Sequence, residues 1–489
     1  MELKEGELKG TFEIVVKKAK EVTEKVKRKF EEFGVKIINV DTKEDKIIIN
    51  IEGDLKNRPH NIILRVRKDL AKEGIKFRKI GIVKYEIELV FDENLPNFKT
   101  YPLVKEFKIE KNRFYCVLEN IDEQTIEEGT LDRLISYVKE KALKYIYSGK
   151  AEFWKLVRKS DEKKMYTNED PTELMLKAKW IEKFPGMGQW YLLGPATKLG
   201  KHFINQVIEF LEKEGFQEII MPKLIPFQIH VKSGHLRGSA HEMYLVAHPK
   251  KRDREFFEEF YDYVTVTRKV DKKLLREKFD DFEYALCYAQ CPPFYWLIKG
   301  KRFKLEDLPV KVYDFSGPSW RYEKSGIRGL ERVNEFHRLE VIWLGTPEQV
   351  KEIRDKIANY VIELIDKYYD LEWRLAHVTP FYLAHEGKAG GEEFPWTYDL
   401  EVYLPYKGDR ENKNAWVEIA SFNIHGDHYT KEFNIKGSKG EELWTGCVGL
   451  SIERFLAVFI GQKGIDTKNW PEKLVKDLGK LKNNIRYVQ

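Results

Sequence analysis

SWRYEKSGIRGLERVNEFHRLEVIW, residues 319–343, is the stretch from which the fold is read. Between Arg321 and Glu340 it carries four arginines and four glutamates, yet it ends in the apolar run of a strand. Gly326 and Gly329 mark a turn between two antiparallel strands, SWRYE and RVNEFHRLEVIW. Period-two alternation sets Arg321 and Glu323 on one face of the first strand. On the second it sets Phe336, Arg338 and Glu340 on one side and His337, Leu339, Val341 and Trp343 on the other. The side with Leu339, Val341 and Trp343 suits a core. The other presents cations, carboxylates and one aromatic ring. Exposed ion pairs contribute only about 0–1 kcal/mol each, so a merely salt-bridged surface hairpin explains this crowding poorly. A cleft that grips a polyanionic and zwitterionic ligand explains it better.

At 489 residues the chain exceeds one ordinary core, so two or more domains are expected. Hydrophobic residues at 42% and aromatics at 13% are ample for globular folding. No apolar run reaches the ~18 residues of a membrane span, and MELKEGELKG lacks the apolar stretch of a secretory signal. Four cysteines in so long a chain argue against a disulfide framework and for a reducing cytoplasm. The net charge of +6 is unevenly spread, with about +6 in residues 1–165 and about zero in the remainder. RVRKDLAKEGIKFRK (65–79) alone has seven Lys/Arg against two acids. A basic domain of residues 1–165 joined to a neutral domain of residues 166–489 is the pattern of a polyanion-binding module attached to something else. A solvated basic face without a partner would give the same count.

Residues 10–33 read as an amphipathic helix, with Phe12, Val15, Val16, Ala19, Val22 and Val26 at helical spacing. Strand-like runs follow at VKIINV, DKIIINIEG, IGIVKYEIELVF and RFYCVLEN, with helical segments at 60–73 and 131–147. Together they predict a compact α+β domain with an antiparallel sheet. The polar stretch KSDEKKMYTNEDPTE (159–173) reads as the linker. Beyond it, Leu199, Phe203, Val207, Phe210 and Leu211 stripe a helix that Gly215 ends. Residues 250–285 form a charged, partly helical insertion. Strands then alternate with loops to residue 424, and GCVGLSIERFLAVFIG reads as strand then helix. The prediction is α+β again, a large antiparallel sheet flanked by helices.

Three stretches, in order, resemble the motifs of class II aminoacyl-tRNA synthetases. GFQEIIMPKL (215–224) resembles motif 1, with its dimer-interface proline at Pro222. WRYE…GLERVNEFHRLE, within 319–343, resembles motif 2, and its GL-x-RV-x-x-F portion is similar to the seryl enzymes. GCVGLSIERFLAVFI (446–460) resembles motif 3. The resemblance implies a homodimeric ATP-dependent ligase built on an antiparallel catalytic core. It implies that Arg321 holds the α-phosphate and the substrate carboxylate, where charge develops as the carboxylate attacks. By the same resemblance Glu323 lies by the adenine, Phe336 stacks on it, Arg332 and Val333 contact the nucleotide, and Arg454 grips its far end. Glu418 would serve Mg²⁺ and ATP, with Ser421 and Asn423 lining the pocket. Arg454 and Glu453, the only charges between Gly446 and Ile460, read as an ion pair on an apolar helix.

The four cysteines divide. Cys116 and Cys287 read as core, since a CxxxC pair without a second pair is no zinc finger. Cys291, in a strand context before Pro-Pro, Glu340 and Cys447 could converge on one pocket. Two thiolates and a carboxylate leave one position of a tetrahedral zinc open. The Cys/Glu/Cys order resembles the zinc-dependent seryl-tRNA synthetases of methanogenic archaea. That resemblance implies one Zn²⁺ whose fourth position takes the amino group of L-serine, with Ala289, Arg321, Arg338, Glu340 and Asn423 shaping the serine pocket. It also implies an N-terminal α+β domain that binds tRNA(Ser), with tRNA(Sec) a second candidate, in place of a coiled-coil arm. Lys68, Lys72 and Arg78 are the candidate tRNA contacts. HEGKAGGEEFPWTYDLE (385–401) could close over the substrate, and His425 and His428 read as structural. Two other functions stay open. One is a ligase that activates a small amino acid for a carrier protein, against which the N-terminal module counts. The other is a non-catalytic nucleic-acid-binding paralogue, against which the intact Arg321, Arg454 and metal ligands count.

Overall fold

Alternation governs the first strand: from Leu8 to Val16 every second residue is buried. The expected helix over 10–33 therefore starts only at Ala19 and runs Ala19–Glu32. Phe12 and Val16 belong to the strand Leu3–Val16, which is extended because it is paired on both sides. Lys18, with φ 55°, makes the break between them. A computed structural model describes residues 1–147, 153–379, 396–483 and 485, and the chain divides into two units after residue 151.

In the first unit a six-stranded antiparallel sheet runs in the order Lys36–Lys43, Lys46–Asp54, Leu3–Val16, Phe77–Phe91, Arg113–Asp122, Glu106–Glu110. Helices Ala19–Glu32, Pro59–Lys72 and Thr130–Tyr147 bury Val26, Phe30, Ile63, Val66, Leu70 and Val138 in one core with Ile47, Ile49, Ile51 and Ile80. Full burial of each such side chain stabilises by about 1.5–3 kcal/mol.

The second unit is built on a nine-stranded sheet. Its order is Gln217–Glu218, Val310–Asp314, Glu335–Gly345, Trp444–Ser451, Trp416–Gly426, Thr397–Tyr403, Trp373–Val378, Trp154–Lys159, and Pro318–Trp320 pairs separately with Glu335–Gly345. Only the first pair is parallel. Helices Gly194–Lys213, Pro347–Glu363 and Ile452–Lys463 join its core, where Leu199, Phe203 and Val207 meet Leu339, Val341, Trp343 and Phe455. Thr346 and Gln349 form a reciprocal cap on the middle helix, and Pro347 opens it where no N–H is needed.

Four expectations are corrected. The boundary at 165 moves to 151, because Trp154–Lys159 is an edge strand of the second sheet. The polar stretch 159–173 is no linker but a strap on the second unit: Lys163 N–H donates to Glu372 Oε2 (2.9 Å) and Tyr166 N–H to Gln462 O (2.8 Å). Of SWRYE only Ser319 and Trp320 pair in the sheet, and residues 321–334 run as a loop. Cys291 opens the helix Cys291–Leu297, whose first turn tolerates Pro292 and Pro293, rather than lying in a strand. The expected lid, 385–401, lies outside the described residues up to 395, and Thr397–Tyr403 is a strand of the sheet. No described helix is long and apolar enough to cross a membrane.

Candidate active site

Strands from the middle of the second sheet floor a cavity of about 460 Å³. Glu335–Gly345 contributes Phe336, Arg338 and Glu340, the face expected from alternation, while Leu339, Val341 and Trp343 are wholly buried on the other. His337 departs from that core face. Its ring is 47% exposed, and Nδ1 lies 2.8 Å from Glu453 Oε1. Trp444–Ser451 adds Cys447, Gly449 and Ser451 to the floor. Trp416–Gly426 adds Glu418, Ser421, Asn423 and His425. Glu418 and Ser421 have opposite parity, and a bulge reconciles them: Leu400 faces Ala420 while Glu401 faces Glu418, leaving Ile419 extra. Tyr288, Ala289 and Cys291 close one side, and Arg321, Glu323, Arg332 and Val333 come from the loop after Trp320. Arg454 enters from the helix Ile452–Lys463.

The opposed charges pair off inside the cavity. Arg454 Nη1 donates to Glu418 Oε2 at 2.8 Å and to Glu418 O at 3.0 Å, and its Nε donates to Glu331 O at 3.1 Å. Burial disfavours the Arg454 charge, but Glu418 beside it more than restores it. The expected Arg454–Glu453 pair does not form. Successive helix residues point apart, and Glu453 instead accepts from the His337 backbone N–H and the Ser451 hydroxyl. Arg332 Nε lies 2.6 Å from Glu323 Oε2. The Arg321 guanidinium stacks 5.0 Å over the Tyr288 ring and sits 3.7 Å from Glu242. Asp399, which sequence reading missed, lines the cavity opposite Ser421, and burial followed by the Glu418 charge pushes its carboxyl well above the usual range. The alternation Thr397, Asp399, Glu401 in TYDLEVY was the signal that could have found it.

Arg338 is the most constrained cation. Its Nε donates to Gln290 Oε1 at 3.1 Å and its Nη2 to Tyr288 O at 3.4 Å, while the guanidinium lies 5.5 Å from the Phe336 ring centre. Nε is also 3.0 Å from Glu340 Oε2, but its N–H points to Gln290, so this buried oxygen accepts no hydrogen bond. Donor atoms of Cys291, Glu340 and Cys447 all lie within 4.8 Å of one another, and all three residues are buried. A hydrogen bond shared with Cys291, burial and the Glu340 charge push the Cys447 thiol well up, and burial pushes Glu340 up as well. Each of these penalties is one that a cation among the three would reverse. Two sulfurs and one carboxylate, an oxygen of which lacks a donor, fit a tetrahedral zinc with one position open. Cys116 and Cys287 are fully buried in cores elsewhere, as expected.

Residues 269–463 match the class II tRNA synthetase core domain (G, H, P, S and T), and residues 5–140 match a tRNA-binding domain. The type-2 serine–tRNA ligase of Methanococcoides burtonii is 39% identical over 464 residues, spanning 93% of this chain and 91% of its own length. This chain belongs to the type-2 serine–tRNA ligases. The Methanocaldococcus jannaschii member is 34% identical over 496 residues, with 97% of this chain and 94% of the relative covered. A crystal structure of the M. kandleri SerRS in complex with A. aeolicus tRNASec superposes with a TM-score of 0.82 at 29% identity, covering 99% of both chains. As a type-2 serine–tRNA ligase the protein is an ATP-dependent aminoacyl-tRNA ligase, with a class II core and an N-terminal tRNA-binding domain. The ligase holds the candidate tRNA contacts Lys68, Lys72 and Arg78 on the exposed surface of that N-terminal domain. Lys72 pairs with Asp69 at 2.9 Å, and Arg78 lies 3.9 Å from Asp45.

Proposed function

We propose that the enzyme activates L-serine with ATP to seryl-adenylate and transfers serine to the 3′ end of tRNA(Ser). The observation that carries this reading is the Cys291, Glu340, Cys447 cluster set in the same cavity as Arg321, Arg338 and Arg454. Cys291, Glu340 and Cys447 would hold one Zn²⁺, which would offer a Lewis-acid position to the serine amino group. Around it, Arg321 and Arg338 face the serine carboxylate, and Ala289 and Asn423 border the side chain. Arg321 also meets the α-phosphate, stabilising the charge that develops there. Glu323, Arg332, Val333 and Phe336 would hold the adenosine, and Arg454 the far phosphates. Glu418 with Ser421 would hold Mg²⁺, so nucleotide binding exchanges the Arg454–Glu418 pair for phosphate–arginine and carboxylate–cation contacts.

The N-terminal domain, residues 1–151, would bind tRNA through its basic surface, with Lys68, Lys72 and Arg78 on the contact face. The tRNASec complex of the M. kandleri relative supports tRNA(Sec) as a second acceptor. A cytoplasmic homodimer, paired through the segment at Pro222, completes the reading. The test is metal analysis with amino-acid-dependent ATP–pyrophosphate exchange over a panel of amino acids. Serine should be favoured, and Cys291→Ala, Glu340→Ala and Cys447→Ala should each lose zinc and serine-dependent exchange. Full exchange by a zinc-free enzyme, or preference for another amino acid, would overturn the reading.

A further inference from the structure

The cavity face that carries Ser421 and Asn423 continues to His425, a residue left extra by a second bulge where Ile424 faces Gly446 and Gly426 faces Thr445. Its ring is 5% exposed and borders the cavity floor. Nε2 lies 3.5 Å from Cys447 Sγ, while Nδ1 lies 3.0 Å from Thr445 Oγ1 and 3.3 Å from Tyr295 Oη. Thr445 stands two residues from Cys447 on one strand face. Tyr295 stands four residues from Cys291, on the same side of the helix Cys291–Leu297. The imidazole therefore connects the helix bearing one sulfur to the strand bearing the other.

The chemistry of its neighbours assigns the ring proton. With a cation among Cys291, Glu340 and Cys447, the Cys447 sulfur is a thiolate and can only accept. The nitrogen facing it must carry the hydrogen, so Nε2–H donates to Sγ. Nδ1 then accepts, and both Thr445 and Tyr295 have a hydroxyl proton to give. Neither ring nitrogen joins the group of donor atoms gathered within 4.8 Å, so the ring stands behind the ligands rather than among them.

We propose that His425 is a positioning residue of the metal centre. Its N–H···S bond, braced by Thr445 and Tyr295, orients the Cys447 thiolate and spreads its charge. The inference rests on the zinc reading above, and the test separates the two. Zinc affinity is measured by competition with a chromophoric chelator in the parent, His425→Phe and His425→Gln, alongside the sulfur-to-metal charge-transfer band of the cobalt-substituted proteins. Loss of the N–H donor in His425→Phe should weaken zinc binding about 10–100-fold and shift the band. His425→Gln, whose amide N–H reaches toward the same sulfur, should recover most of both. Parental zinc affinity in His425→Phe would overturn the role of His425. So would a glutamine variant as weak as phenylalanine. A cobalt coordination number lowered in both variants relative to the parent would make His425 a ligand and overturn the proposal equally. If His425→Phe fails to fold, Thr445→Val carries the same test by removing one brace: weakened zinc supports the role, parental affinity refutes it. A parent that binds no stoichiometric zinc would instead overturn the zinc reading.

Discussion

Two truncations, one removing residues 1–151 and one removing residues 1–165, should behave differently although only fourteen residues separate them. The shorter cut falls where the two units divide. The longer cut takes away Trp154–Lys159, an edge strand paired at five positions with Trp373–Val378. It also removes the Trp154 indole N–H to Glu401 (3.2 Å), the Arg158–Asn359 bond (2.6 Å) and the packing of Trp154 against Arg374 (4.6 Å). At about 0.5–1.5 kcal/mol net for each hydrogen bond, the loss comes to roughly 3–10 kcal/mol, a large part of the ~5–15 kcal/mol by which a domain is stable. The midpoint of thermal unfolding should fall by on the order of 10 °C relative to the shorter truncation. Phe153 and Trp154 also border the cavity, so serine-dependent exchange should fall in the longer truncation. The shorter one leaves every residue lining the cavity in place, so exchange should stay within about threefold of the full chain, while tRNA charging drops roughly 100-fold or more with loss of the basic unit. Equal stability of the two truncations would refute the edge-strand reasoning. Normal charging by either would refute the role of the first unit.

Arg454→Lys keeps the charge but replaces the fork that reaches Glu418 and Glu331 with a point charge, so kcat/KM for ATP should drop about 100-fold; a drop under about threefold would show that the fork is unused. His337 should titrate above 6.5, because its hydrogen bond to Glu453 outweighs burial, with Glu335 adding to the effect and Lys201 opposing it. A raised folded value means that this contact stabilises fully below the unfolded pKa and is lost as pH rises through the folded one. With half the ring exposed, the midpoint itself is the readout: ¹³C-histidine NMR should find it falling toward 6.5 in Glu453→Gln, and an unmoved midpoint sinks the assignment. For tRNA binding, Lys68→Ala and Lys72→Ala should each reduce the slope of log K against log salt by about 1 if they touch phosphate; parental slopes would remove them from the contact face.

Local periods were legible in the sequence, and pairing partners were not. The cavity face of Glu335–Gly345 follows from alternation alone, because a strand's sides are fixed by its own backbone. Residues 10–33 read as one helix because Phe12 and Val16 fit a helical period with Ala19 and Val26 as well as the extended period of their own strand. Only the strands on either side of Leu3–Val16 decide between them. Trp154–Lys159 gave no signal, since five of its six side chains are exposed and an edge strand held by backbone bonds needs no apolar face. The bulge that leaves Ile419 extra, and so places both Glu418 and Ser421 in the cavity, is likewise invisible without the neighbouring strand.

The opposed charges of residues 321–340 acquire a single explanation once their partners are known. Arg332 meets Glu323, Arg338 meets Glu340, and Arg454 meets Glu418. Glu331, at the head of the loop, is held by Lys407 and Tyr406. Each arginine is thus kept extended toward the cavity by a carboxylate that is itself a candidate for a cation or for adenine. A phosphate or a metal ion can replace either member of such a pair without leaving the other buried and uncompensated, provided both arrive together. Under the reading proposed above, nucleotide bound with its magnesium would meet that condition at Arg454 and Glu418, and bare nucleotide would not, which accounts for cations and carboxylates that are interleaved around the cavity rather than segregated.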